Sequence, residues 1–223
     1  MHILAAIFVL SYLLGSIPWA IIISRSVKGI DIREHGSGNA GGTNVFRILG
    51  WKYGLLVIVL DAVKGALAVL LVARLYLLQP VPINNPSGYF EDFTIIQVLA
   101  GVFAVIGHIW SVFAKFRGGK GIATGLGMLL SITSVDMLIG LGIFILIVTL
   151  TKYVSLGSLL AAISVPISLI IRQNFFHAEI QGYGIILPFI SGVVLLVIYT
   201  HRKNIVRIFQ GSENKISFSK KSR

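Results

Sequence analysis

Three stretches of this chain combine glycine with side chains that donate hydrogen bonds. They are GSGNAGGTNVFR at 36–47, GHIWSVFAKFRGGKGIATG at 107–125 and HRKNIVRIFQGSE at 201–213. Glycine lets a backbone N–H approach an anion closely, and neighbouring hydroxyl, amide and guanidinium groups add donors that can converge on the same oxygens. In the first stretch those donors are Ser37, Gly38, Asn39, Thr43, Asn44 and Arg47. In the second, Gly118, Gly119 and Gly121 surround Lys120, with Arg117 before them, and IATGLGMLL then reads as a helix. An anion there would meet a backbone nest, a helix N-terminus and an ammonium together. The third contributes His201 and Asn204, three apart and so on one face of a continuing helix, with Glu213 beyond. The chemistry expected of such residues is binding and orientation of phosphate.

Several other chemistries are excluded. Gly36, Gly38 and Gly41 match G-x-G-x-x-G, but DIREH precedes them where a dinucleotide site needs a buried strand. Lys120 is followed by Gly121, whereas a nucleotide-hydrolysing P-loop needs Ser or Thr at that place. The chain has no cysteine, and it shows no paired carboxylates and no H-E-x-x-H. No metal site and no cofactor is therefore expected.

The elements that must position these residues lie in a bilayer. The chain has 223 residues, 56% of them hydrophobic and only 12% charged, with a mean hydropathy of +0.90. Soluble domains run roughly 45–50% apolar and 25% charged. Apolar runs long enough to span a hydrocarbon core of about 30 Å fall near 3–24, 53–78, 94–114 and 183–200. Three further helices, the first two short, are read within 122–172, with breaks at 134–136 and 151–153. The expectation is an all-α integral membrane protein of about seven transmembrane helices, with short cytoplasmic motif loops. It comprises one transmembrane domain over 1–213 and a basic, disordered tail over 214–223.

The first span has no basic residues ahead of it, and Arg25 and Lys28 follow it, as in a retained anchor. Basic residues then recur on alternate loops, with Glu91, Asp92 and Glu179 on the others, which places the N-terminus outside and the C-terminus in the cytoplasm. All three motifs then emerge on one face. The net charge of +11 is topology signal and affinity for anionic lipid, and nucleic acid is not an expected partner. Asp61 and Lys64, i and i+3 within the second span, are placed to neutralise each other, and His108 ends the third span.

The three motifs, in their order and in their spacing from the apolar spans, resemble those of the bacterial acyl-phosphate:glycerol-3-phosphate acyltransferase family, the PlsY type, over nearly the whole chain. The resemblance implies a seven-helix enzyme of the bacterial inner membrane whose active site faces the cytoplasm. It implies transfer of an acyl group from acyl phosphate to the sn-1 hydroxyl of glycerol 3-phosphate, giving lysophosphatidic acid and inorganic phosphate. Ser37, Arg47, Lys120, His201 and Asn204 then take catalytic positions, and Gly118, Gly119 and Gly121 belong to the acceptor-binding loop. Gly38, Asn39, Thr43, Asn44 and Arg117 join them in binding, while His108 and Glu213 support. The chain departs from the family pattern at Ser111, where proline is common, at Arg117, where lysine is frequent, and at Gly42, where alanine is frequent. Direct transfer without an acyl-enzyme is expected, since no nucleophile machinery is legible. A monomer is expected. The alternative reading is a transporter of a small organic phosphate, but such sites lie near the midplane between repeated halves, and no internal repeat is visible.

Overall fold

The computed structural model describes residues 2–78 and 92–215, and every regular element among them is helical. The loop expected to follow the second span, Asp92 apart, lies outside the described residues, as does the tail from 216 onward. The chain divides into two compact units, Met1–Ile132 and Thr133–Arg223.

In the first unit, α1 (His2–Ser16) and α2 (Trp19–Lys28) make up the first span, separated at Ile17 and Pro18. Proline lacks the N–H that a helix interior needs, so the ladder is interrupted there. The carbonyls around the break find other donors: Lys64 Nζ reaches the Ile17 oxygen at 2.8 Å, and Ser111 Oγ donates to the Ser16 oxygen. A short helix, α3 (Gly42–Leu49), leads through Gly50 into α4 (Trp51–Leu67). This span runs on through a π turn at Ala68–Val72 and a 3-10 turn at Ala73–Leu78. The third span is α5 (Asp92–Ile109), and α6 (Ile122–Ile132) follows the second motif.

Glycine sets how closely these helices approach. A Cβ on Gly15 would meet the Ala104 carbonyl and one on Gly107 the Tyr12 carbonyl, so α1 and α5 touch backbone to backbone at two points. Gly65 against Thr124, and Gly127 against Ala62, repeat the arrangement between α4 and α6. Between apolar helices in lipid, such small-residue contact replaces the hydrophobic effect as the source of packing energy.

The second unit contains α7 (Ser134–Thr151), α8 (Val154–Asn174), α9 (Tyr183–Thr200) and α10 (Arg202–Phe209). Its α7 and α8 are joined by fully buried Asp136, which accepts from Thr133 Oγ1, Ser168 Oγ and Arg172 Nη1, each at 2.6 Å. A carboxylate inside a helix pair is tolerable only when its oxygens are occupied in this way.

Six helices among the described residues are long and apolar enough to cross a membrane. The seventh, α6, has 11 residues and covers only about 16 Å of a core of about 30 Å. Three helices do occupy 122–172, but α7 has 18 residues and is not short. Two helices that hydropathy did not mark, α3 and α10, lie within the motifs themselves.

Replacing Gly65 with valine is expected to wedge α4 from α6 and destabilise the protein by about 1–3 kcal/mol. Glycine-to-alanine at Gly142, where an added Cβ meets nothing within 4 Å, should leave the melting temperature within about a degree. Thermal melts of both variants in the same detergent measure the contrast.

Candidate active site

The loop that bears Ser37 is shaped by one buried side chain. The Asn44 amide nitrogen donates to the carbonyls of Ile32 (3.0 Å), His35 (2.9 Å) and Asn39 (3.1 Å), and its Oδ1 accepts from the Ser37 N–H at 2.9 Å. A loop with no ladder of its own thus has its polar backbone satisfied from within. Gly36 lies at φ +62°, and a Cβ there would strike Asn44 Oδ1, so the position is closed to other residues on two counts. Asn44 is therefore committed to the loop, although the sequence suggested a substrate donor.

Arg33 does comparable work one turn earlier. It grips Asp31 with Nε at 3.0 Å and Nη2 at 2.7 Å, and its Nη1 donates to the Ala114 carbonyl at 2.8 Å, tying the first motif to the second. The Arg33 guanidinium beside it, helped by that of Arg25, holds the Asp31 carboxyl far below the usual carboxylate range. The pairing raises the Arg33 guanidinium in turn. Neither residue stood out as a site residue in the sequence. An Asp two positions before an Arg was the available signal.

The second motif folds back on the end of α5. Gly118 donates its N–H to the Ile109 carbonyl at 3.0 Å, and Gly119 donates to that of His108 at 3.1 Å. A Cβ on either glycine would collide with His108, so both are required for close approach. Their N–H groups are spent on α5, so the backbone nest expected there loses these two donors. Ser111, standing where proline is common, uses its hydroxyl to hold the Ser16 carbonyl.

These constraints leave a cavity of about 320 Å³. Ser37, Asn39, Thr43, Asn44 and Arg47 line it from the first motif, Lys120 and Gly121 from the second, and Asp61 and His108 from α4 and α5. Gly38, Arg117, Gly118 and Gly119 are not in its lining. Ser37, Arg47 and Lys120 are exposed at the mouth, while Asp61 and His108 are buried. The first turns of two helices face the space as well, α3 with Gly42 and Thr43 and α6 with Ile122 and Ala123. Gly41 offers α3 no side-chain cap. Two helix N-termini, a guanidinium and an ammonium around one small cavity are groups whose charge and donors favour an anion. Deeper in, Asp61 Oδ1 lies 2.9 Å from Lys64 Nζ and 3.4 Å from His108 Nδ1, with both carboxylate and ammonium almost fully buried. The neutralising pair read from the sequence is present, and its Asp61 also lines the site.

The third motif belongs to the second unit. The helix does not run through it unbroken: α9 ends at His201, whose backbone N–H and ring Nδ1 both donate to the Val197 carbonyl, Nδ1 at 2.9 Å. That bond fixes the tautomer and leaves Nε2 as the acceptor. Glu213 accepts from Asn204 Nδ2 (2.8 Å), Arg207 Nε (2.7 Å) and Ser155 Oγ (2.8 Å), so residues after α10 are docked on α8. Hydrogen bonds from Asn204 and then Arg207 pull its pKa from 4.5 down to about 2. Among the described residues, no group of three or more His, Asp or Glu is placed to hold a metal ion.

Residues 5–211 match the family model described as glycerol-3-phosphate acyltransferase. The glycerol-3-phosphate acyltransferases of Chlorobaculum parvum and Chlorobaculum tepidum are 45% and 46% identical to this chain, with 97% of it and 98% of each relative covered. Among solved structures, the chain is similar to PlsY, an integral membrane glycerol 3-phosphate acyltransferase. Against its glycerol 3-phosphate form the identity is 34% and the TM-score 0.66, covering 96% of both chains. Against its lysophosphatidic acid form they are 33% and 0.67, with 96% of this chain and 95% of that one covered.

Asn44→Ala strands three carbonyls and the Ser37 N–H, and should cost about 1–3 kcal/mol in stability while freeing the loop. Hydrogen exchange at residues 36–41 should rise well above that of α4. The Glu213 docking is expected to be complete above pH 4.5, the ordinary value for its carboxyl, and to weaken as pH falls toward about 2. An NMR titration of the Glu213 carboxyl checks this, and a midpoint near 4.5 would contradict the hydrogen-bonded arrangement.

Proposed function

The chain belongs to the glycerol-3-phosphate acyltransferase family, and from that premise we propose that it moves a fatty acyl group from acyl phosphate to the sn-1 hydroxyl of glycerol 3-phosphate. The observation that carries this reading is the cavity in which Ser37, Arg47 and Lys120, drawn from two motifs, meet beside two helix N-termini. Both substrates are phosphates, and the site offers positive charge and donors at its mouth. An acyl phosphate is a mixed anhydride, so its leaving group needs little acid assistance. The sn-1 oxygen attacks the carbonyl carbon, the bond from that carbon to the phosphate oxygen breaks, and the hydroxyl proton ends on the released phosphate. Arg47 and Lys120 hold phosphate oxygens, while Ser37 donates to the substrate where charge develops. No acyl-enzyme forms.

The cavity opens to the cytoplasm of a bacterial inner membrane in this reading. Arg25, Lys28, Arg33, Lys52, Lys115 and Arg117 cluster in the segments that bear the first two motifs, which is the positive-inside pattern. For His201, Asn204 and Glu213 a part in the reaction rests on the sequence motif, and His201→Gln should lower kcat with α9 intact.

Purified protein given acyl phosphate and glycerol 3-phosphate should release inorganic phosphate only when both are present. Turnover that needs acyl-CoA instead would refute the donor. Lys120→Ala and Arg47→Ala should each lower kcat/KM by about 100-fold or more without loss of helicity. A protein-bound acyl group that builds up before acceptor is added, seen by rapid quench with labelled donor, would refute direct transfer.

A further inference from the structure

The buried end of the cavity holds a carboxylate oxygen that meets an ammonium by charge but has no well-aligned hydrogen bond. Asp61 is 2% exposed and lines the cavity, yet its Oδ1 has no hydrogen-bond partner among the described residues. Lys64 Nζ, 2.9 Å away, makes a charge contact without hydrogen-bond alignment and donates instead to the Ile17 carbonyl at 2.8 Å. His108 Nδ1, at 3.4 Å, is too long for a good bond. The ion pair is electrically neutral as a unit, so it does not repel a phosphate held at the mouth by Arg47 and Lys120. What it lacks is an O–H or N–H aimed at Oδ1, since a buried acceptor left unpaired is costly.

We propose that Asp61 reads a hydroxyl group of the acceptor, and specifically the hydroxyl that does not react. This rests on the acyltransferase reading above. The reacting hydroxyl must meet an acyl donor whose chain lies outside this small cavity, and the exposed Ser37 marks that end. The other hydroxyl of a three-carbon phosphate is then left to point inward, past apolar Ile58 and Leu126, toward Asp61 and His108, which with the loop-bound Asn44 are the buried polar groups of the lining. Lys64, itself anchored on the Ile17 carbonyl, holds the carboxylate in place, and His108 flanks it. Asp61 is on this account a specificity residue that selects a vicinal diol phosphate over a simple hydroxyalkyl phosphate.

Binding, measured apart from turnover, tests the idea. Calorimetry on the full-length protein in detergent would compare glycerol 3-phosphate with 3-hydroxypropyl phosphate, which keeps the phosphate and a primary hydroxyl but lacks the middle one. The wild type should prefer glycerol 3-phosphate by roughly 10- to 100-fold in Kd, the size expected when a buried acceptor loses its donor. In Asp61→Asn the preference should shrink. In the paired variant Asp61→Leu/Lys64→Met, which removes both charges together, it should fall to within about threefold. Equal binding of the two ligands by the wild type overturns the proposal whether or not either variant folds, and so does an undiminished preference in both variants. Absence of phosphate release from acyl phosphate in a protein that still discriminates the two ligands would count against the acyltransferase reading and leave this inference standing.

Discussion

Pro18 removes a hydrogen-bond donor from the interior of a membrane span, and much of the first unit is tied together at the carbonyls beside it. Water is scarce there, so the exposed oxygens must be met by protein. Lys64 meets one from α4 and Ser111 meets another from the base of the second motif. Each contact does double duty. Lys64, anchored on Ile17, is thereby fixed beside Asp61, and Ser111 holds the turn from which the Gly118 and Gly119 loop folds back on α5. The interruption in the first span thus helps to place side chains at both depths of the cavity.

The same requirement governs the loops. Asn44 supplies the missing partners for the first motif and Arg33 bridges it to the second, while Gly118 and Gly119 return their N–H groups to carbonyls of α5. Loops made this way are polar in composition and rigid in geometry. Arg47 and Lys120 bring the cationic side chains of the cavity lining, and the Asp61 and Lys64 pair, neutral as a unit, leaves their field uncancelled.

Much of this was legible in the sequence. Twenty-residue apolar runs locate the long spans because a helix has no other way to satisfy its backbone in lipid, and glycine clusters beside Ser37, Arg47 and Lys120 mark two of the segments that line the cavity. What was not legible depends on partners distant in the chain. Asn44 reads as one more donor until its four neighbours are seen, and nothing local distinguishes it from Asn39. Gly118 and Gly119 look like a phosphate nest, but whether their N–H groups are free depends on carbonyls about ten residues earlier. Helix α3 was hidden because its first residues are glycine and threonine, poor helix formers held by packing of α3 on α4. The break at His201, where the ring and the backbone N–H both meet the Val197 carbonyl, has no counterpart in the hydropathy pattern.

The π turn at Ala68–Val72 has a consequence for how one helix serves several neighbours. Before it, α4 rests on α3 and α6; within and beyond it, the same span rests on α1 and α5. A straight helix would carry one stripe along its length. A π turn takes in one residue more than an α turn, which advances the phase of everything that follows by about 100°. The second span is therefore two amphipathic faces in series, joined by a phase change, and its hydrophobic pattern has no single period. A one-residue deletion inside the turn would preserve composition and very nearly the length, yet turn Ala73 and Tyr76 out of the core they share with Ile7 and Ala100. In such a span, length and hydropathy are the tolerant quantities, and residue count between two contact points is the strict one.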